Sequence, residues 1–175
     1  ATPIRVSVGE RGLSTTDLNT GSIYLAAKER DLGIGSIISD SVVEIRADHV
    51  VKAVTSETNI KAAALRILKS SAIGTKEQNL RTEISGNIEM ISAGDIYATE
   101  LGTANVKNIR STKNEGKVSL TAAGMVNCAE GGSAAITADN ITLHATAGSI
   151  GSSAKAMDVE VGSGTLNAVA DRDRK

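Results

Sequence analysis

Three aspartates, Asp48, Asp95 and Asp139, are the residues whose type and placement could do chemistry. Each lies in a similar short string: Ala47-Asp48-His49-Val50, Ala93-Gly94-Asp95-Ile96 and Ala138-Asp139-Asn140-Ile141. A weaker copy, Ala123-Gly124-Met125-Val126, lacks the acid. Carboxylates repeated in this way, if stacked on one face, could abstract a proton or hold a metal. The same positions have a plainer reading. A small residue followed by Gly, Asp or Asn and then a strand is a tight corner, because these residues tolerate left-handed backbone angles and bond their own backbone. The corner reading accounts for all four strings, so no catalytic, cofactor-binding or metal-ligating residue is assigned.

The other chemistry-bearing residues are isolated. His49 and His144 have no His, Cys or carboxylate at metal-ligand spacing. The single cysteine, Cys128, excludes an internal disulfide and reads as a buried structural thiol. Gly131-Gly132-Ser133 begins like a calcium-binding nonapeptide, but Ala134-Ala135-Ile136 follows where Gly-x-Asp is required. Gly33-Ile34-Gly35-Ser36 lacks the GK[ST] ending of a phosphate loop. Asn140-Ile141-Thr142 matches a glycosylation sequon, though its Asn is also a corner residue. Lys107, Arg110, Lys113 and Lys117 form either a modest basic ridge suited to acidic glycans or a solvated edge.

What positions these residues is a repeat. Ile34-Gly35-Ser36, Ile73-Gly74-Thr75 and Ile150-Gly151-Ser152 recur at intervals of 39 and 77 residues. Each precedes an alternating segment: Val42-Val43-Glu44-Ile45-Arg46-Ala47, Leu80-Arg81-Thr82-Glu83-Ile84 and Met157-Asp158-Val159-Glu160-Val161. Period-2 alternation also marks 22–26, 87–91, 116–121 and 140–145. Only 59–69 (NIKAAALRILK) permits a helix, and its place in the repeat favours a strand at 64–68. Short strands with such frequent corners predict a solenoid, in which each coil buries its apolar side against its neighbours. The Ile-Gly-Ser marker would then fall on every second coil, its glycine at a corner.

Composition agrees. The 175 residues include 17 Gly and one Pro, no Phe or Trp, and only Tyr24 and Tyr97 as aromatics. A core of Ala, Val, Ile and Leu suits a narrow interior better than a thick two-layer one. The net charge of −1 gives no electrostatic case for nucleic acid, and no apolar run is long enough to span a bilayer as a helix. No signal peptide is evident. The start in mid-pattern at Ile4-Arg5-Val6-Ser7-Val8, and the likeness of the two ends, predict a slice of a longer array.

Several strings resemble the repeats of filamentous-haemagglutinin-like adhesins. They are Ala145-Thr146-Ala147-Gly148-Ser149-Ile150-Gly151-Ser152 with Met157-Asp158-Val159-Glu160-Val161, Ser92-Ala93-Gly94-Asp95-Ile96, and Leu120-Thr121-Ala122-Ala123-Gly124. Those are very large bacterial exoproteins exported by two-partner or related type V secretion. The resemblance implies a right-handed parallel β-helix, with no catalytic residues in the shaft to carry over.

The expectations are therefore these. The fold is all-β, a right-handed parallel β-helix of about eight coils of roughly 20 residues. Residues 1–170 form one β-helical segment and 171–175 a polar tail. The chain is a non-enzymatic shaft segment of a secreted cell-surface adhesin, without cofactor or metal. Its implied partners are a glycan or protein receptor on host or bacterial cells, and an outer-membrane transporter for the parent protein. The alternative is a carbohydrate-active β-helix enzyme, a polysaccharide lyase or glycoside hydrolase, which would need aligned carboxylates in a cleft.

Overall fold

The structure is a computed structural model. It describes residues 21–171 throughout, together with the backbone of strands β1 (Ile4–Ser7) and β2 (Leu13–Ser14). Most of the polar tail, residues 172–175, lies outside the described residues. The strands continue in chain order as β3 (Ile23–Ala27), β4 (Leu32–Ile38), β5 (Val42–Ala47), β6 (Val50–Ala53), β7 (Ile60–Ala62) and β8 (Ala64–Lys69). Next come β9 (Ala72–Ile73), β10 (Leu80–Ile84), β11 (Asn87–Ser92), β12 (Ile96–Glu100), β13 (Thr103–Ser111) and β14 (Lys117–Ala122). The last are β15 (Gly124–Asn127), β16 (Ile136–Ala138), β17 (Asn140–Ala145), β18 (Val159–Val161) and β19 (Leu166–Ala170).

Among the described residues all strand pairs are parallel, in two sheets. The first sheet runs β1-β3-β5-β8-β11-β13-β16-β18, with β15 also on β13. The second contains β2, β4, β6, β7, β9, β10, β12, β14, β17 and β19. The chain alternates between them, so each circuit adds one rung to each sheet. This is a parallel β-helix. Its first sheet advances in seven steps, and at about 4.8 Å per step the stack spans about 34 Å.

Coil length follows from the loops. Register partners in the first sheet are Ile4, Ile23, Val43, Leu65, Ile88 and Val106, giving steps of 19, 20, 22, 23 and 18 residues. Further along, Ile109, Ile136 and Val159 give steps of 27 and 23. The bare coil is thus close to the 20 residues anticipated, and inserted loops raise the average to about 22. Two insertions interrupt the second sheet. The single strand β4 is matched in the next coil by β6 and β7 and in the following one by β9 and β10, which both pair with β12. Buried Asn59 holds the first gap together. Its Nδ2 donates to the Ile34 carbonyl (3.1 Å) and its Oδ1 accepts from the Arg81 amide (2.9 Å).

The core is a set of aliphatic columns. Ile23, Val43, Leu65, Ile88 and Val106 stack in register on the first sheet. Leu32, Val51, Ile73, Ile96, Val118 and Ile141 stack on the second. Each fully buried side chain of this kind contributes about 1.5–3 kcal/mol. The columns interlock across a narrow interior, so aliphatic side chains fill it without a single ring. Serines close the corners: Ser92 Oγ accepts from the Gly94 amide (3.0 Å), and Ser111 Oγ donates to the Gly94 carbonyl (2.8 Å).

The ambiguous segment 59–69 is two strands, β7 and β8, with Ala63 as the corner between them. The Ala63 amide donates to the Ser41 carbonyl (2.9 Å), and the Gly86 amide donates to the Ala63 carbonyl (2.7 Å). A helix would forfeit this coil-to-coil ladder.

The Ile-Gly-Ser/Thr motif does not mark one repeating position. Gly35 lies inside strand β4, not at a corner. Gly74 and Gly151 are corners with φ of 62° and 69°. However, Ile73 pairs in the second sheet, whereas Ile150 bridges to Met125 of β15 on the first. What the last two copies share is a loop. The Thr75 amide donates to the Gln78 carbonyl and the Gln78 amide to Thr75 Oγ1; Ser152 and Lys155 make the same pair of bonds. The motif encodes a loop exit that can serve either face.

In-register parallel stacking sets identical outward positions about 4.8 Å apart, so like charges there would repel. The first sheet avoids this by alternation: Glu44, Arg66 and Glu89 are successive register partners. Arg66 lies 3.0 Å from Glu44 and 3.7 Å from Glu89, and Lys107 is 3.7 Å from Glu89. Arg66→Glu makes three carboxylates consecutive. The expected loss is about 1–2 kcal/mol in low salt, shrinking as salt is added, read from urea midpoints. A loss indifferent to salt would show that packing, not charge, holds this face.

Candidate functional site

Asp48, Asp95 and Asp139 all lie at the corner where the chain passes from the first sheet to the second. They occupy alternate coils, because Ser71 and Glu115 belong to the coils between them: the Ser71 amide bonds the His49 carbonyl, and the Glu115 amide donates to Asp139. Two coils correspond to about 10 Å. Each acid is also engaged locally. Asp48 pairs with Lys69, whose hydrogen bond holds its carboxyl below the usual range. Asp95 accepts from the Lys117 amide (3.0 Å) and pairs with Lys113 (3.3 Å). Asp139 accepts from Ser163 Oγ as well (3.4 Å). The lowered pKa makes the Asp48 carboxylate a poor proton acceptor. These residues staple coil to coil.

His144 Nε2 lies 2.7 Å from Asp171 Oδ2, and His49 is a corner residue. No group of three or more His, Cys, Asp or Glu is placed to hold a metal among the described residues. Cys128 is only partly buried, contrary to the expected core thiol. The alternation of β15 stops at Asn127, whose Oδ1 takes the Ala129 amide (2.9 Å), and Cys128 begins a loop. The basic stretch is not one ridge. Lys107 is on the first sheet beside Glu89, Lys113 is tied to Asp95, and Lys117 opens β14 on the second sheet with its ammonium 5.9 Å from the Tyr97 ring centroid.

Three concavities among the described residues could hold a ligand. The first, about 480 Å³, lies between the loop 128–135 and the outer face of the first sheet, with Glu89, Lys107, Arg110, Glu130 and Glu160 among its walls. Gly131 and Gly132, at φ 66° and 74°, turn the loop back. Glu89 on β11 and Glu160 on β18 are three coils apart, about 14 Å. Paired glycosidase carboxylates stand about 5–9.5 Å apart, so the strand-borne acids here do not form such a pair.

The second, about 490 Å³, follows the opposite corner, with Lys61, Glu83, Ser85, Glu100 and Asn105 in its lining. Glu100 is a buried carboxylate, 2% exposed. Its Oε2 accepts from Thr82 Oγ1 (2.6 Å), and its Oε1 accepts from the amides of Ile84 (3.1 Å) and Gly102 (3.1 Å). Burial pushes its pKa up against these bonds. Both oxygens are committed to closing the corner, which leaves Glu100 a structural group. Sequence reasoning did not single it out, although strand parity places it inward with Ile96 and Ala98.

The third, about 440 Å³, lies beside Tyr97 under the loop 75–79, with Gly74, Thr75, Lys76, Asp95 and Lys113 around it. It holds one of the two aromatic rings of the chain.

Compared with family models, curated proteins and solved structures, the chain matches none. Its class is defined by architecture alone: a parallel β-helix.

Proposed function

We propose that this chain is a β-helical shaft segment of a secreted bacterial surface adhesin. Its work is to space and present attachment surfaces, without turnover. The observation that carries this reading is the continuous parallel pairing of the first sheet from β1 to β18, which two local bulges do not interrupt. Continuous ladders resist bending because every backbone bond on one rung is repeated on the next. Loops leave such a scaffold without disturbing it, and binding surfaces on rigid scaffolds are commonly built from loops. The receptor class is a glycan or protein of a host or bacterial surface, and export of the parent protein would use an outer-membrane transporter.

Beads coated with the full chain provide the test. Saturable attachment to epithelial or bacterial cells, competed by soluble chain, is the expected result. In parallel, uronic-acid and neutral polysaccharides are incubated with the chain and assayed for new reducing ends or unsaturated products. Steady product release without attachment would overturn the reading in favour of a carbohydrate-active enzyme.

A further inference from the structure

Among the described residues the interior holds no aromatic ring, and Tyr97 stands on the outer face of the second sheet, partly exposed. Its neighbours along the stack differ sharply. On one side its register partner is Ser119 of β14, and Lys117 of the same strand reaches its ring. On the other side lies Gly74, which follows Ile73, the partner of Ile96. Gly74 is pressed against the Tyr97 backbone and has no side chain to offer. The strip beside Tyr97 is therefore an open hollow, bordered by Thr75 and Lys76 of the loop that follows Gly74.

The groups around the hollow carry both signs: Lys76 and Lys113 stand against Asp95, and the Glu77 carboxylate acts on Tyr97 from the same loop. Lys76 is exposed on the loop and makes no ion pair among the described residues. Lys113 remains half-exposed while paired with Asp95. Asp95 already accepts from Lys113 and the Lys117 amide, so it is poorly placed to take a further donor. The Tyr97 hydroxyl stays protonated at neutral pH, since burial, and after it the nearby Asp95 and Glu77 carboxylates, raise its pKa. A flat apolar ring face, two ammonium groups and a phenol select a ligand with a flat C–H face and an anionic group.

We propose that the Tyr97 hollow is a binding subsite for an anionic pyranose unit, its C–H face stacked on the ring and its acidic group held by Lys76 and Lys113. This deepens the attachment reading by naming the chemistry of one receptor. Both carboxylated and sulfated sugars carry that chemistry, and the experiment separates them.

The chain has no tryptophan, so Tyr24→Phe leaves Tyr97 as its sole fluorophore. That variant is titrated with a short oligogalacturonate, a sulfated oligosaccharide and a neutral cello-oligosaccharide. Saturation-transfer NMR on the sugar protons follows the same titrations in the parent chain, Tyr97→Leu and Lys76→Gln. Saturable change in Tyr97 emission with at least one anionic sugar is expected, and the stronger of the two names the acidic group. Tyr97→Leu should weaken binding roughly tenfold. Lys76→Gln, on an exposed loop where misfolding is not at issue, should weaken it several-fold. Absence of binding by any sugar, equal binding of the neutral one, or unimpaired binding by a folded Tyr97→Leu chain would each overturn the proposal. Bead attachment that survives in Tyr97→Leu leaves the shaft reading standing while removing this site from it.

Discussion

Gly74→Val is expected to cost about 3–5 kcal/mol of folding stability, enough to unfold much of the chain at 37 °C. Two effects add. Gly74 has φ of 62°, a left-handed conformation that a β-branched residue adopts only with strain. A Cβ there would also lie 2.2 Å from the Tyr97 carbonyl oxygen and 2.8 Å from the Leu80 amide nitrogen. Both are backbone atoms of the ladder and neither can swing aside, so the pairing between β9 and β12 must open. Gly131 provides the internal comparison. Its φ is 66°, but a Cβ there meets nothing within 4 Å. Gly131→Ala should therefore lose only the conformational part, about 1 kcal/mol, and Gly74→Ala distinctly more. Urea unfolding of the two alanine variants decides between strain and contact. Equal losses would show that the close approach at Gly74 relaxes freely.

The second large effect concerns Glu100. Its carboxyl is buried and its pKa is raised above the ordinary value, so the folded state holds the proton more tightly than the unfolded one. Stability from this group is then fully present below the unfolded carboxylate pKa and falls as pH rises through the folded value. Asp31 and Asp48 act in the opposite sense: their pKa values are lowered, chiefly by hydrogen bonds from Lys52 and Lys69, so their contribution is lost only as pH falls below the ordinary carboxylate range. The two effects occupy different windows. Glu100→Gln can keep every bond, its Oε1 taking both amides and its Nε2 donating to the Thr82 hydroxyl. It should match or exceed the parent at pH 8, and its difference from the parent should close toward pH 4. Glu100→Ala leaves the Ile84 and Gly102 amides buried without an acceptor and should cost about 2–4 kcal/mol at any pH. A Glu100→Gln chain that differs from the parent by the same amount at pH 4 and pH 8 would refute the assignment of this pH dependence to Glu100.

Much of the scaffold was legible because outward and inward residues alternate under a simple constraint. Val42-Val43-Glu44-Ile45-Arg46-Ala47 reads directly as β5, with Val43, Ile45 and Ala47 inside. Asp48, Asp95 and Asp139 do lie at corners, but for a different reason than the sequence suggests: none has a positive φ, and their carboxylates bond neighbouring coils instead of their own backbone. Less legible was anything that depended on which coil lies beside which. Cys128 follows an alternating string and reads as buried, yet it starts a loop and is only partly buried. The basic stretch appeared continuous because adjacent residues on a chain need not remain adjacent once it turns a corner.

By itself the sequence determined the aliphatic interior, the short strands and the sharp corners, since period-2 patterning and turn chemistry are local properties of neighbouring residues. Tertiary structure alone decided the register. The two loops at 54–59 and 74–79 split one face of two successive coils, which moved the Ile-Gly-Ser copies onto different positions and lengthened the coils. Stacking then set Gly74 beside Tyr97 and Thr82 beside Glu100. Those juxtapositions join residues about 20 apart through ladder bonds that any similar strand could make, and only the sum of all the coils selects one alignment.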